Sequence, residues 1–305
     1  MTDVGYLPAE DSSLGEIREH QLAHDHQFDE GKPKKIGIFF WLCISYVVLQ
    51  SLASVFANYL HLQNPNFLNY TNENKSPSLA HLFGTDENGR DIFARVIYGG
   101  RVSIEVGFGA MLIAFSVGGV LGMLAAHRRG KFDLGVSTFM YMVLAFPGTI
   151  FVIAILAFWQ PRVWWKIVLI LGVSSTPLVY RVIRASTLSV ATRDFVVAAK
   201  VQGASTWRIL LKELLPNVAP IGMSFLLLGI AAVIGVEGGL SFLGLSVDPT
   251  TTPTWGNLIN ESRQNLAVNP WLALFPSLAF FFFLLALNFA GDRLRSHFDI
   301  TEIKL

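Results

Sequence analysis

The sequence predicts an all-α integral membrane protein with six transmembrane helices. Of its 305 residues, 52% are hydrophobic and only 15% charged, against about 25% charged in a soluble domain. Six apolar runs approach the roughly 20 residues that a helix needs to cross about 30 Å of hydrocarbon. They lie at about 36–60, 103–126, 134–159, 164–183, 218–245 and 271–291. The basic residues, finally, divide unevenly between the two sides that such a chain defines.

Six spans put both termini on one side. With that side cytoplasmic, 16 of the 23 basic residues fall inside, among them Lys32, Lys34, Lys35, Arg128, Arg129 and Lys131. An excess of Lys and Arg on the cytoplasmic side is the usual asymmetry, so residues 1–35 and 292–305 are expected to be cytoplasmic tails. The formal net charge of +1 gives no basis for nucleic-acid binding. Cys43 is the only cysteine, which excludes an internal disulfide and a cysteine metal cluster. The first apolar run follows a polar stretch with eight acidic residues, unlike the short basic start of a secretory signal.

The first span, 36–60, is anchored by the three lysines before it. Residues 61–102 form a long extracytoplasmic connection, and long ordered loops are often functional. Its second half, "DENGRDIFARVIYGG", reads as a cap and short helix with Ile92 and Val96 on one face. Asp86, Arg90 and Asp91 are placed there as candidates for the mouth of a path. Asp86 and Asn88 faintly suggest a calcium loop, but Arg90 and the missing spaced Glu argue against one. Residues 103–291 make a five-helix core. Its first span carries Gly107, Gly109, Gly118, Gly119 and Gly122, and the Gly118–Gly122 spacing suits close helix contact. Arg101 and Glu105 (i, i+4) suit a salt bridge. Ser174, Ser175, Thr176 and Pro177 interrupt the fourth run and must face other helices or a water-filled cavity.

The core is broken at 184–217 by a charged cytoplasmic loop. In "DFVVAAKVQGASTWRILLKELLPNVAP" (194–220), Phe195, Ala198, Ala199 and Gln202 share one face of a short helix. Gly203 is a natural stop, because it accepts the left-handed conformation. Ser205 then caps a second helix, whose Trp207, Leu210, Leu211 and Leu214 fall at i, i+3, i+4 and i+7. Pro216 and Pro220 end this unit or kink it into the next span. Each helix has an apolar face needing cover, which lipid headgroups or a soluble partner would supply equally well.

"VAAKVQGASTWRILLKELLPN" resembles the cytoplasmic signature loop of permease subunits in binding-protein-dependent ABC importers. Ala198, Ala199, Gly203, Leu215 and Pro216 match that pattern; Val197 stands where a Glu is common and Glu213 where an Ile is. "HLFGTDENGRDIFARVIYGGRVSIEVG" (81–107), "VEGGLSFLGLSVDPTTTPTWGNLI" (236–259) and the stretch 269–299 resemble blocks of the dipeptide, oligopeptide and nickel permeases, most closely the C-type subunit. The resemblance implies a type I importer permease fold. It implies coupling to an ATPase through Ala198, Ala199, Gly203, Ala204, Trp207, Leu211, Leu215 and Pro216. A homologous sister permease, two ATPase subunits and an extracytoplasmic binding protein are the implied partners, in the inner membrane of a prokaryote. The implied cargo is di- or oligopeptides, with nickel chelate, glutathione or another small solute as the alternative.

No phosphate-binding loop is present: Gly31-Lys32 precedes Pro33, and Gly130-Lys131 precedes Phe132, where G-x-x-x-x-G-K-[ST] is needed. The chain is therefore expected to be non-enzymatic and to bind no cofactor, with ATP and Mg on partner subunits. A self-contained secondary transporter would call for inverted repeats, which are not evident. Ionisable groups inside spans are costly and invite a functional reading. Glu237, with Ser241, is accordingly a candidate for the translocation path or its gate; a buried helix-packing carboxylate is the equal alternative. His20, His24 and His26 cluster in the N-terminal tail, where a solvated acidic tail is preferred to a metal site, so no metal is expected.

Overall fold

A computed structural model describes residues 37–302, and the side chains as far as Phe298. The His20, His24 and His26 cluster lies outside the described residues. Among the described residues the protein is helical, with one isolated bridge joining Thr85 and Asp91.

The first span is α1 (Ile38–Val55). Helix α2 (Ile92–Ala114) passes through a π-helical turn, Phe115–Gly119, into α3 (Val120–Arg128). After the single residue Arg129 come α4 (Gly130–Ala145) and α5 (Gly148–Phe158), then the long α6 (Trp164–Val190). Two short helices follow, α7 (Asp194–Val201) and α8 (Thr206–Arg208). A second π-helical stretch, Ile209–Leu214, leads from α8 into α9 (Leu215–Phe242). The chain closes with α10 (Trp255–Glu261) and α11 (Trp271–Glu302).

Among the described residues five helices are long and apolar enough to cross a bilayer, and the α4–α5 pair makes a sixth if taken as one bent span. Two expectations need correction. The short helix before the second span is not separate: it is the first turns of α2, and the span from Ile92 to Arg128 is 37 residues long. The third span is not continuous: Pro147 follows Phe146, which is held in extended backbone, and the helix bends there by 76°. A residue before proline is pushed out of the α region. The close helix contact expected at Gly118 and Gly122 is made, and its partner is α6. A side chain at Gly118 would meet Thr176 O at 2.4 Å, and one at Gly122 would meet Tyr180 O at 2.9 Å, so α3 and the turn before it lie directly on the α6 backbone. The Ser174–Pro177 interruption is absorbed by the same contact. Thr176 is buried, and its hydroxyl donates to Gly172 O at 2.8 Å.

The buried centre lies among α2, α6, α9 and α11. Val106, Ile167, Ile230, Ile234, Phe283 and Leu287 are all fully enclosed. The apolar outer faces of α1, α4 and α5 stay exposed (Ile38, Leu49, Leu134, Phe139, Phe158), as spans that face lipid require.

Candidate functional site

At one end of the bundle the 191–217 loop folds into two helical pieces joined by a tight turn. Asp194 in the first turn of α7 and Lys200 in its last oppose the helix dipole favourably. Gly203 takes φ +74°, and the turn has both Schellman bonds: Gly203 N donates to Lys200 O and Ala204 N to Ala199 O, each at 3.0 Å. Ser205 caps the next piece, its hydroxyl accepting from Arg208 N at 3.4 Å. Val196 is fully buried and Ala199 and Ala204 are half-buried, while Ala198, Gly203 and Pro216 are exposed.

The expected single stripe on the second helix is split. Leu210 and Leu214 are buried, whereas Trp207 is 60% exposed, Leu211 56% and Leu215 39%. The π-helical stretch accounts for this. It turns Leu210 and Leu214 (i, i+4) toward Ile209 and Val218 in the core and leaves Trp207 and Leu211 on the opposite side. Val201, 83% exposed, extends the bare apolar surface beside the turn. Val197, at the position where a Glu is common, is also exposed.

Two cross-links hold the bundle just above this loop. Arg184 Nε and Nη2 donate to Asp133 Oδ1 and Oδ2, each at 2.6 Å, and Ser137 meets the Tyr180 hydroxyl at 2.7 Å. Both fasten α4 to the last turns of α6.

The opposite end is built from polar contacts between distant segments. Asp91 caps α2 by accepting from Ala94 N at 2.8 Å, and its other oxygen meets His81 Nδ1 at 2.8 Å. Asp86 Oδ2 accepts from Arg90 Nε at 2.6 Å and from Arg95 Nη1 at 3.0 Å. Arg95 Nη1 also reaches Glu261 Oε2 of α10 at 2.8 Å. Both oxygens of Asp86 are occupied, since Oδ1 accepts the backbone N–H groups of Asn88 and Arg90 at 2.9 Å. Asp86 is thus fully engaged by its own segment and Arg95, which leaves no calcium-loop ligand at this position. Asp86, Arg90 and Asp91 are brought together, but as a buried clamp rather than an open lining.

Glu237 lies beneath this clamp, fully buried. Ser241 and Ser246 donate to its Oε1 at 2.8 and 2.7 Å, and Ser103 of α2 donates to Oε2 at 3.3 Å. Ser241 also meets Thr254 Oγ1 at 3.3 Å. Trp255 closes the group: its indole N–H donates to Val96 O at 2.9 Å. This is the geometry of a packing carboxylate that ties α2, α9 and the 246–255 segment together. Sequence reasoning missed Arg95, Glu261 and Trp255. Arg95 alone carried a signal, as a cation inside the apolar run of α2. Arg101 and Glu105 do pair, at 2.9 Å.

Bent and broken apolar helices around an enclosed core, a bare amphipathic loop at one end and a cross-linked polar end opposite fit a helical multi-pass membrane protein. The chain belongs to the family described as the binding-protein-dependent transport system inner membrane component, whose pattern matches residues 118–300. It is thus the permease component of an ABC importer of the inner membrane. It is 34% identical over 255 residues to the glutathione transport system permease protein GsiD of Pectobacterium atrosepticum, covering 83% of this chain and 84% of that one. It is 34% identical over 273 residues to the dipeptide transport system permease protein DppC of Alkalihalophilus pseudofirmus, covering 89% and 88%. Among solved structures it is similar to the MetNI methionine ABC transporter in inward-facing conformations. That match has a TM-score of 0.55 at 18% identity and covers 67% of this chain and 96% of the other, a likeness of fold.

Proposed function

We propose that this permease forms half of a path for short peptides, beside a homologous sister permease, and is driven by two ATPase subunits that carry ATP and Mg. An extracytoplasmic binding protein delivers the cargo, and both termini are cytoplasmic. The relatives named for dipeptide and glutathione transport support a peptide-like cargo. The coupling role rests on one observation: Val201, Trp207 and Leu211 are bare around a turn fixed by Gly203. Such a surface in a water-facing loop needs a protein or lipid to cover it. A rigid turn flanked by two helical pieces suits a groove in a soluble motor. Ala198 and Pro216 are exposed in the same loop, Ala199 and Ala204 support the turn by packing partly against the core, and Leu215 lines an apolar groove with Met123 and Leu226. Motion of the motor would reach the path through α6 and α9, which the loop joins.

The test is uptake of labelled trialanine by cells whose sole peptide importer contains this chain. The double variant Trp207→Asp/Leu211→Asp should lose more than nine-tenths of the uptake while remaining in the membrane. Absence of uptake with the unaltered chain would overturn the peptide cargo. Undiminished uptake in the variant would overturn the coupling role.

A further inference from the structure

A polar cavity of about 320 Å³ opens at the clamp end, between the 160–162 turn, the 244–249 loop and α10. That volume is at the lower end for small-molecule sites. Its lining carries one cation, Arg162, and two carboxylates, Asp248 and Glu261. Among the described residues these opposite charges form no ion pair with each other across the cavity, although Glu261 pairs elsewhere with Arg90 and Arg95.

The hydrogen-bond inventory of each charge is informative. A guanidinium has five N–H donors. Arg162 Nη1 donates to Gly244 O, and with the Gln160 amide oxygen turned toward it, that oxygen accepts from Nε and Nη2 at 2.7 and 2.8 Å. These contacts orient the group and leave one N–H on each terminal nitrogen, the pair that grips a carboxylate from two sides. Among the carboxylates, Asp248 Oδ1 is occupied by the N–H and hydroxyl of Thr250, at 2.9 and 2.7 Å. Glu261 Oε2 is occupied by the two arginines. One oxygen of each carboxylate stays open. The same Thr250 bonds hold the Asp248 carboxyl below its ordinary range, so it is charged at neutral pH. The floor consists of Ser241 and Ser246, both already committed to Glu237.

A cavity whose lining holds a fixed carboxylate grip and two open carboxylate oxygens, unpaired with one another, matches a solute with an ammonium at one end and a carboxylate at the other. We propose that this cavity is a transient binding site for a short zwitterionic peptide, with Arg162 taking the C-terminal carboxylate and Asp248 with Glu261 the N-terminal ammonium. The assignment rests on the peptide-import reading above. It adds a substrate contact within the permease itself, and the floor places that contact directly over the Glu237 knot.

The test uses the whole purified complex without its binding protein, titrated with trialanine and followed by saturation-transfer NMR. Trialanine should bind the unaltered complex. Blocking both ends, as in N-acetyl-trialanine amide, should weaken binding at least tenfold. Arg162→Gln and Asp248→Asn should each do the same, and Arg162→Lys should recover part of the loss. The Asp248 side chain is exposed and bonds only to Thr250, while its other contacts run through the backbone carbonyl, so its variant tests the site with little effect on packing. No binding by the unaltered complex, equal binding of the blocked peptide, or indifference to both substitutions would overturn the site. Trialanine uptake by cells is measured in parallel. Uptake that persists without any cavity effect removes this site and leaves the peptide reading standing; absent uptake removes both.

Discussion

The two ends of this permease are stabilised in opposite ways. At the clamp end, residues more than 150 positions apart are joined by buried polar bonds: Arg95 to Glu261, Trp255 to Val96 and Ser103 to Trp255. Asn269 reaches Asn74 at 2.8 Å and Asn66 reaches Thr251 O at 2.9 Å. At the loop end, the turn around Gly203 is held by local backbone bonds and by Val196, Leu210 and Leu214 buried beneath it. Its outer surface is apolar and bare. A polar network specifies one geometry, because each buried group needs its partner. An uncovered apolar surface specifies nothing until a second chain fits it. The contrast fits a subunit that keeps its own mouth in register and leaves its other end to be organised by a motor.

This contrast can be broken or sharpened experimentally. The largest stability effect is expected at the clamp. Arg95 is 1% exposed and serves two carboxylates, so Arg95→Ala should cost about 3–5 kcal/mol, as losing one partner of a buried pair does. A thermal-shift measurement on the purified complex checks this, and a change under 1 kcal/mol would mean that Arg90 alone holds the clamp. Next comes Glu237. Glu237→Leu strips three hydroxyls of their acceptor and should cost about 2–3 kcal/mol. Glu237→Gln keeps an acceptor and should leave stability within about 1 kcal/mol and uptake within about twofold. A tenfold loss of uptake in a stable Glu237→Gln protein would instead make the carboxylate part of the path. The smallest effect belongs to the loop: Gly203→Ala puts a side chain at φ +74° and should cost about 1 kcal/mol. No atom crowds that position, so the change should appear as looser ATPase coupling rather than as misfolding. Proteolysis of the loop, with and without the ATPase present, reads it out.

Much of this architecture is legible in the sequence because lipid imposes simple rules. Long apolar runs mark the spans, Gly203 and Ser205 mark the turn and cap, and Arg101 with Glu105 sits at a helical spacing. What escaped sequence reading has particular causes. The two π-helical stretches, Phe115–Gly119 and Ile209–Leu214, rotate side chains off the 3.6-residue period, so the stripe counted over Trp207, Leu210, Leu211 and Leu214 divides between core and surface. The break at Phe146–Pro147 lies in a run apolar enough to read as continuous. The Arg95–Glu261 bond and the cavity beside Arg162 join segments that only the tertiary fold brings together. A charge inside an apolar run shows that a partner is needed without saying which residue supplies it.

In the proposed coupling role, an ATPase docks on the exposed residues of the 194–216 loop, Val201, Trp207 and Leu211. That docking is tested most directly by co-purification from detergent of the subunits encoded with this chain, comparing the unaltered protein with Gly203→Asp/Leu211→Asp. The account predicts that the ATPase accompanies the unaltered chain and is lost from the variant, while the sister permease stays with both. An ATPase retained equally by both chains, or bound by neither while uptake continues, would contradict it.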